Sequence, residues 1–236
     1  MKIEDMKLLF EDADILVCEK PAGVPSQSDK TGDYDMVNKL KNYLFEKEPK
    51  NGEPYIGLVH RLDRPVGGVM VFAKTPLAAR RLSESIRSKD MIKRYLAVLN
   101  FDAGNECAKE PKRLCDYLIK DARMNCSHIT NAKDKNAKKA ELFYQIREVR
   151  NGLSLAEIEL LTGRHHQIRV QMAENLGGVW GDTKYNSLFK EKKGFYRMGL
   201  YAYELSFTHP VKKKKMCFTS YPSGEPFDFF HLKEIN

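Results

Sequence analysis

The first part of the chain alternates between apolar runs and polar segments. Residues 14–18 (DILVC) predict a short buried strand, because residues 20–25 hold two prolines and a glycine and cannot continue it. Apolar residues recur at helical spacing over 36–45 and predict a helix. Residues 55–59 and 69–73 predict two strands, and the second lacks polar alternation, so both of its faces should be buried.

The pattern continues with a second helix and a fourth strand. Thr75 and Pro76 predict a helix start, with Thr75 as the capping residue and Pro76 at the first helical position. Residues 94–99 (RYLAVL) predict a strand. The polar stretch 100–139 shows little periodicity, so we expect strands and loops on the surface there.

The following segment predicts a β-hairpin and then a helix. Residues 140–149 and 153–161 flank Asn151-Gly152, which is a strong hairpin signal. Apolar and acidic residues alternate along the second strand, which should therefore be half-buried. Apolar residues recur at helical spacing over 168–176, and Gly177-Gly178 is expected to end this helix.

Strands outnumber helices in this pattern, and hairpins recur. Residues 200–207 and 216–219 predict one more hairpin near the C-terminus. The sequence shows no fixed-period repeat and no domain linker. The expected fold class is therefore α+β with a largely antiparallel sheet.

Composition excludes several protein classes. Of the 236 residues, 42 % are hydrophobic and 10 % aromatic, which is too apolar for a disordered chain and enough for one large domain or two lobes around a cleft. No apolar run can cross a bilayer, and the acidic N-terminus is unlike a secretory signal, so we expect a cytoplasmic protein. The cysteines are odd in number and lack a CxxC pair, which predicts reduced thiols rather than disulfides or structural zinc: Cys18, Cys107, Cys115, Cys126 and Cys217.

Positive charge gives a weak indication of the partner. The 40 lysines and arginines exceed the 32 acidic residues, for a formal net charge of +8. Such an excess is compatible with a polyanion such as nucleic acid. Basic residues cluster within 80–94, 133–139 and 212–215. Each cluster taken singly is better explained as a solvated surface.

The first candidate for chemistry is the loop 60–64 (HRLDR) between two strands that should be buried. Ionisable side chains in such a place are costly unless they are paired or used. Asp63 lies between Arg61 and Arg64, whose charges favour its ionised form. An ionised carboxylate can act as a nucleophile or a base. The alternative is a buried ion pair that closes the loop.

The second candidate is the stretch 162–169 (TGRHHQIR), where a strand gives way to a helix. Backbone N–H groups at a helix start favour an anion such as phosphate, and Arg164 and Arg169 would add bidentate donors. The alternative is a polar helix start with ordinary surface arginines. His165 and His166 are adjacent and would point in different directions on a helix, which argues against a metal site.

Two further features are weaker. Tyr95 at the start of a predicted strand is typical of a core residue, and its alternative role is an aromatic plane for a nucleobase. Residues 181–185 (GDTKY) are typical of a turn.

Together and in this order, these pieces resemble the RluA family of RNA pseudouridine synthases. The matching stretches are KPAGVPSQSD (20–29), GLVHRLDRPVGGVMVFAKT (57–75), KRYLAV (93–98), LLTGRHHQIRVQMA (160–173), GDTKY (181–185) and LYAYELSFTHP (200–210). The resemblance runs from about residue 12 to about residue 230, and HRLD followed by GRHHQIR is its most specific part.

This resemblance implies a fold and an activity. The expected fold is that of pseudouridine synthases, a mixed, mainly antiparallel central sheet with flanking helices and loops around a catalytic cleft. We expect residues 1–236 to form one catalytic domain of two lobes. The implied activity is an isomerase that converts specific uridines of structured RNA to pseudouridine.

The resemblance also assigns residues. Asp63 matches the family's essential aspartate, Tyr95 its active-site tyrosine near the target base, and Arg169 the basic residue that pairs with the aspartate. Arg61 lies where an arginine enters the RNA beside the flipped base, and Ile168 where an apolar residue lines the pocket. The expected set that contacts RNA further contains His60, Arg64, Arg164 and His165.

The implied reaction breaks the C1′–N1 bond of the uridine, turns the uracil and joins C5 to C1′. Nothing is oxidised and no phosphate energy is spent, so we expect no cofactor and no metal. The uridine must leave its stack, and Tyr95 would then hold the base while Arg61 fills the gap. Asp63 could add to C1′, add to the base or take the C2′ proton, and the sequence does not choose among these.

The sequence departs from the commonest family pattern in its loops. Residues 64–68 (RPVGG) stand where many members have a threonine and a serine, and Gln171 and Gly178 replace frequent histidines. Too few residues precede residue 20 to hold the S4-type RNA-binding domain of many members, so RNA binding is expected from the catalytic domain itself. The expected partner is a stem-loop of ribosomal or transfer RNA, bound by a monomer away from any membrane.

Two other functions stay open at this point. One is a catalytically silent RNA-binding protein on the same scaffold, against which the presence of Asp63, Tyr95 and Arg169 argues. The other is a metal-free ribonuclease that uses His165 and His166 as acid and base, the function that the paired histidines alone would suggest.

Overall fold

The computed structural model describes residues 7–29, 31–104, 110–194 and 196–232. In chain order its strands and α-helices are β1 (Leu8–Glu11), β2 (Ile15–Lys20), α1 (Met36–Lys47), β3 (Gly57–Leu58), β4 (Gly67–Ala73), α2 (Pro76–Arg87), β5 (Ile92–Leu99), β6 (Lys112–Asp121), β7 (Cys126–Thr130), β8 (Lys138–Arg150), β9 (Leu153–Leu160), α3 (Gln167–Asn175), α4 (Ser187–Lys190), β10 (Leu200–Thr208) and β11 (Lys215–Thr219). Mostly antiparallel strands with intervening helices confirm the predicted α+β class. Within these ranges no helix is long and apolar enough to span a membrane.

The described part of the chain divides into two compact units. The first unit runs up to Ile92 and takes in Ala202–Ser220, and the second contains Lys93–Tyr201 and resumes at Tyr221. Cysteines with free thiols occur in both, as predicted, and are Cys18, Cys115, Cys126 and Cys217. Cys107 lies outside the described residues.

The first unit is built on a sheet of strand order β1-β2-β4-β10-β11. Strand β2 pairs antiparallel with β4 over its whole length, and all seven residues of β4 are buried, as its lack of polar alternation predicts. The predicted strand over 55–59 is shorter in the structure, where only Gly57 and Leu58 pair with β4. Gly68 has φ +131°, and a Cβ there would lie 2.2 Å from the carbonyl oxygen of Ala202 on β10. The close approach of this strand therefore requires glycine at position 68.

The two longer helices of this unit begin as the sequence predicts. The side chain of Thr75 accepts a hydrogen bond from the amide of Ala78 at 3.1 Å, and Pro76 occupies the first turn of α2. Asp35 caps α1 in the same way through the amide of Asn38. Aliphatic residues of β2 and β4 form the core with the inner face of α2, including Val17, Val71 and Leu82.

A polar cluster joins the β1–β2 turn to the β10–β11 turn of the first unit. Asp12 accepts a hydrogen bond from Nζ of Lys212 at 2.7 Å and lies 3.0 Å from Nε2 of the buried His209. Its other oxygen accepts the amides of Asp14 and Ile15. Burial alone would raise the pKa of Asp12, but these hydrogen bonds outweigh it and lower the pKa to about 2.

Replacing Asp12 by asparagine is expected to lower the free energy of unfolding at pH 7 by about 1–2 kcal/mol. Because the folded-state pKa is below the ordinary value of 3.8, the carboxylate stabilises the protein fully above that value. That contribution is lost as the pH falls toward about 2. Urea unfolding of both proteins should therefore show a difference at pH 7 that shrinks below pH ~4. A difference independent of pH would contradict this assignment.

The second unit is built on a sheet of strand order β5-β9-β8-β6-β7. The β8–β9 hairpin turns at Asn151 and Gly152, whose φ values of 54° and 73° suit the tight turn predicted for this pair. Strand β9 differs from the prediction of a half-buried strand, because its first four residues are all buried. In the surface stretch 100–139, β6 and β7 form a hairpin that pairs with β8.

Helix α3 is more deeply buried than its sequence suggests. The spacing of apolar residues predicts one inner face, yet every residue from Gln167 to Met172 is buried. The polar members of this run are accommodated by hydrogen bonds. Gln167 donates to the carbonyl of Glu141 at 3.1 Å, and Gln171 donates to Asp116 at 2.6 Å. A helix can be buried on its polar side as well when each buried polar side chain has a hydrogen-bond partner.

Candidate functional site

The loop that carries Asp63 is fastened to the turn that follows β2. The side-chain ammonium of the fully buried Lys20 donates to the carbonyls of Pro21, Val24 and Arg64 at 2.7–3.1 Å. The amide of Gly23 also donates to the carbonyl of Arg64, at 2.8 Å. One side chain therefore closes both turns at once, next to the position of the candidate aspartate.

A second link holds the other side of the same loop. The buried hydroxyl of Ser26 donates to the carbonyl of Leu62 at 2.8 Å and accepts from the amide of Leu62 at 3.2 Å. The carbonyl of Asp63 accepts the amide of Val66, which closes the loop before β4. The backbone on both sides of Asp63 is thus fixed, and its side chain is partly exposed.

Sequence reasoning treated Lys20 only as part of a turn. Its ammonium is buried among carbonyl groups, and burial lowers its pKa to about 7, while the negative charge of Asp63 acts in the opposite direction. Lys20 therefore holds the loop of the candidate aspartate in place, a contact that the composition of the turn does not indicate. The available signal is a lysine that ends a mainly apolar strand after Glu19 and stands directly before a proline.

The basic residues around Asp63 differ in their surroundings. Arg61 is exposed. Arg64 is also exposed, and its guanidinium contacts the carboxylate of Asp33 and donates to the carbonyl of Gly23. Nε2 of His60 accepts the amide of Val71 at 3.1 Å, which ties the ring to β4. In this arrangement Arg64 neutralises a carboxylate other than the candidate aspartate.

Tyr95 and Lys93 lie two residues apart on β5, and side chains at this spacing share one face of a strand. Tyr95 is only 6 % exposed, as expected for a core position, although a buried tyrosine also presents an aromatic plane. Burial lowers the pKa of the neighbouring Lys93. The Nζ of Lys93 lies 4.0 Å from where a Cβ on Gly163 would be, so β5 adjoins the loop before α3.

Arg169 forms a buried bidentate ion pair with Asp182. Its Nε and Nη2 atoms donate to the two carboxylate oxygens at 2.7 and 2.8 Å, and the side chains are 4 % and 0 % exposed. The amide of Lys184 also donates to Asp182. The predicted turn at 181–185 thus exists and has a second task, because it supplies the carboxylate that orients the Arg169 guanidinium.

Tyr185, at the end of the same turn, links α3 to β7. Its ring lies 5.2 Å from the Arg169 guanidinium, and its hydroxyl accepts the amide of Ser127 at 2.8 Å. Nδ1 of His166 lies 2.8 Å from the same hydroxyl. Burial raises the pKa of Tyr185 to about 12, so the phenol stays protonated at neutral pH.

The paired histidines are stacked. The rings of His165 and His166 lie 3.8 Å apart with planes at 26°, and Nδ1 of His165 lies 2.9 Å from the hydroxyl of Ser127. An acid and a base that cleave RNA must reach opposite sides of a phosphate. Rings in van der Waals contact leave no room between them for one. This geometry argues against the ribonuclease hypothesis.

The remaining predicted residues lie at the start of α3. Ile168 is buried in its first turn. The exposed Arg164 donates through Nε to the carbonyl of Lys139 at 2.8 Å, and its amide donates to the side chain of Gln167. Tyr95, Arg164, His165, Ile168 and Arg169 all belong to the second unit, whereas His60, Arg61, Asp63 and Arg64 belong to the first.

Comparison with known families identifies the segment that contains the Asp63 loop and most of α3. Residues 14–174 match the profile of a family described as RNA pseudouridylate synthase. The chain belongs to this family. The match covers more than half of the chain and includes the Asp63 loop, Tyr95 and Arg169. It confirms the resemblance on which the sequence analysis relied.

Individual relatives agree. The chain is 31 % identical over 241 residues to ribosomal large subunit pseudouridine synthase D of Xanthomonas campestris, and the match covers 94 % of this chain and 64 % of that protein. The enzyme of the same name from Vibrio cholerae is 32 % identical, with coverage of 90 % and 66 %. An uncharacterized RNA pseudouridine synthase of Zymomonas mobilis is 30 % identical, with coverage of 90 % and 92 %. The chain thus spans slightly less than two thirds of the ribosomal relatives.

Solved structures agree on the fold. The human RNA pseudouridylate synthase domain containing 4 superposes with a TM-score of 0.73 at 22 % identity and covers 91 % of this chain and 88 % of that chain. Human RNA pseudouridylate synthase domain containing 1 superposes with a TM-score of 0.71 at 20 % identity and covers 94 % of this chain and 85 % of that chain. The predicted pseudouridine synthase fold is therefore confirmed.

Proposed function

We propose that this protein is an RNA pseudouridine synthase that isomerises uridine in structured RNA. The observation that carries the proposal is the family match over residues 14–174, which includes the aspartate loop. The loop itself supports it, because Lys20 and Ser26 fasten the backbone on both sides of Asp63. A preorganised carboxylate is what a reaction without cofactor requires.

Three side chains are assigned to the chemistry. Asp63 is the essential carboxylate, which adds to C1′, adds to the base or removes the C2′ proton. Tyr95 packs against the target base, and Arg169 is the cationic partner of the catalytic carboxylate. Asp182 orients the Arg169 guanidinium, which supports a role in which the direction of this group matters.

The other predicted residues are assigned to RNA. Exposed arginines suit contacts with phosphate or an unstacked base, which applies to Arg61, Arg64 and Arg164. Ile168 is assigned to the wall of the base pocket. His60 and His165 are each held by a hydrogen bond on one ring nitrogen, so they would present a fixed edge to the RNA.

Large-subunit ribosomal RNA is the proposed substrate. This choice rests on the relatives from Xanthomonas campestris and Vibrio cholerae, both named as ribosomal large subunit pseudouridine synthases. Transfer RNA is the alternative. The net charge of +8 supports a polyanionic partner and predicts binding that weakens as salt rises.

The proposal is tested by incubating the purified protein with unmodified transcripts of large-subunit ribosomal RNA and of transfer RNAs. Pseudouridine is then mapped at single-nucleotide resolution with a chemical label that is specific for it. We expect one or a few uridines of the ribosomal transcript to be converted without added cofactor. Conversion of transfer RNA alone would show that transfer RNA, not ribosomal RNA, is the substrate. Binding without conversion of either RNA would favour the silent RNA-binding protein.

A further inference from the structure

The second unit contains a pocket that is bordered by Arg164 and His165 but lined mostly by residues to which no role has been assigned. Its volume is about 480 Å³, and it lies between the β6–β7 hairpin, the segment before β8 and the loop before α3. The lining includes Leu118, Lys120, Lys135, Lys138, Arg164 and His165. The volume exceeds what a phosphate ion alone would fill and is in the range of small-ligand sites.

The strand register places part of this lining on one surface. Lys120 pairs directly with Ser127 across the β6–β7 hairpin, and Leu118 pairs with Lys138 across β6 and β8. Residues directly opposite each other in antiparallel strands point to the same face of the sheet. The two pairs are two residues apart along β6, so all four side chains share that face.

The pocket is strongly basic. Its lining has the side chains of Lys120, Lys135, Lys138 and Arg164 and lacks any aspartate or glutamate. Within the described ranges the three lysines form no ion pair, although carboxylates are close to other lysines of the chain. Like charges brought together without counter-charges repel one another, so an anionic ligand would relieve this repulsion.

Two side chains of the lining are held in fixed orientations. Arg164 donates through Nε to the carbonyl of Lys139, and His165 is held by the hydroxyl of Ser127 and by the stacked ring of His166. Leu118 and Ala137 add apolar surface. Cations, an aromatic ring and apolar surface together match a nucleotide, which has a phosphate, a sugar and a flat base.

We propose that this pocket binds one nucleotide of the substrate strand other than the target uridine, with its phosphate on the cations of the lining. The inference rests on the proposed function, because it needs RNA as the substrate. It assigns a specificity role to the β6–β7 hairpin and to the segment 131–137, to which the catalytic assignment gives none. The pocket would fix the distance along the strand between this nucleotide and the target uridine.

The test compares two double variants with the same loss of charge. Lys135→Gln/Lys138→Gln changes the pocket, and Lys213→Gln/Lys214→Gln changes exposed lysines of the first unit. The dissociation constant of a fluorescein-labelled ribosomal transcript that the wild type converts is measured at several salt concentrations. We expect the pocket variant to bind the transcript about 10-fold more weakly or worse. In a plot of the logarithm of the binding constant against the logarithm of the salt concentration, the magnitude of its slope should be smaller by about two. The control should change binding less than threefold.

The alternatives give different results. Equal weakening by both double variants would mean that only the overall field attracts RNA, and it would overturn the pocket. If free uridine monophosphate binds tightly and only the pocket variant loses this binding, the ligand of the pocket is a free nucleotide and not a part of the RNA strand. That result would overturn the proposal. If the wild type converts no uridine in any transcript, the proposed function fails, which is distinct from failure of the pocket alone. Crosslinking of 4-thiouridine in the transcript to residues 118–120 or 135–138 would support the binding of a nucleotide of the RNA strand in this pocket.

Discussion

Replacing Asp63 by asparagine is expected to abolish pseudouridine formation while leaving RNA binding and the fold intact. The carboxamide has nearly the shape of the carboxylate, but it can neither add to C1′ or the base nor accept the C2′ proton. Loss of a single essential group of this kind costs roughly 10⁴-fold or more in rate. Single-turnover conversion of the transcript, followed over hours, measures this directly.

The fold should survive, because main-chain groups on both sides of Asp63 hold the loop. Lys20 and Ser26 hold the neighbouring residues through main-chain groups, and Val66 bonds to the Asp63 carbonyl. The matched control is Glu53→Gln, which removes an exposed carboxylate of the same unit and should leave conversion and binding unchanged. Turnover by the Asp63 variant within tenfold of the wild type would refute the assignment of this aspartate.

Local sequence signals were sufficient for much of the fold. The apolar run of β4, the Thr75-Pro76 helix start and the Asn151-Gly152 turn each depend on residues that are neighbours in the chain. Elements that depend on distant partners were predicted less well. Strand β3 is shorter than the strand predicted over 55–59, because only Gly57 and Leu58 pair with β4. The first six residues of α3 are all buried, and Glu141 and Asp116, which lie far away in sequence, satisfy the two glutamines among them.

The same distinction applies to the candidate site. The motifs identified the Asp63 loop and the start of α3, since each is contiguous in sequence. The links that orient their side chains join distant positions, such as Lys20 with the carbonyl of Arg64, or Ser127 with Tyr185. The sequence predicts a turn at 181–185, and this is correct locally. No pattern within five residues reveals that Asp182 faces an arginine on α3.

Breaking the Arg169–Asp182 pair is expected to destabilise the second unit strongly. Arg169→Met leaves the fully buried Asp182 carboxylate without its guanidinium, and Asp182→Asn leaves a buried cation. Removing one member of a buried, hydrogen-bonded ion pair costs about 3–5 kcal/mol, because the remaining charge keeps its desolvation cost. Both single variants should therefore have a much lower free energy of unfolding.

Trp180 makes the measurement specific, because it is the single tryptophan of the sequence and lies in the second unit, two residues before Asp182. Urea unfolding followed by its fluorescence reports on the unit that contains the pair. The double variant Arg169→Met/Asp182→Asn should recover part of the loss, since no unpaired charge remains. We expect its cost to be smaller than the sum of the single costs by about 1–3 kcal/mol.

The exposed Lys41–Glu53 pair provides the comparison, because the matching replacements Lys41→Met and Glu53→Gln should each cost less than about 1 kcal/mol. Activity separates orientation from stability. Under conditions in which Asp182→Asn remains folded, Arg169 keeps its charge but loses the carboxylate that directs it, so conversion should fall well below that of the wild type. Single variants no less stable than the exposed controls would mean that the buried pair contributes nothing to the fold. Full activity of a folded Asp182→Asn protein would show that the reaction does not need the orientation of Arg169 that this carboxylate imposes.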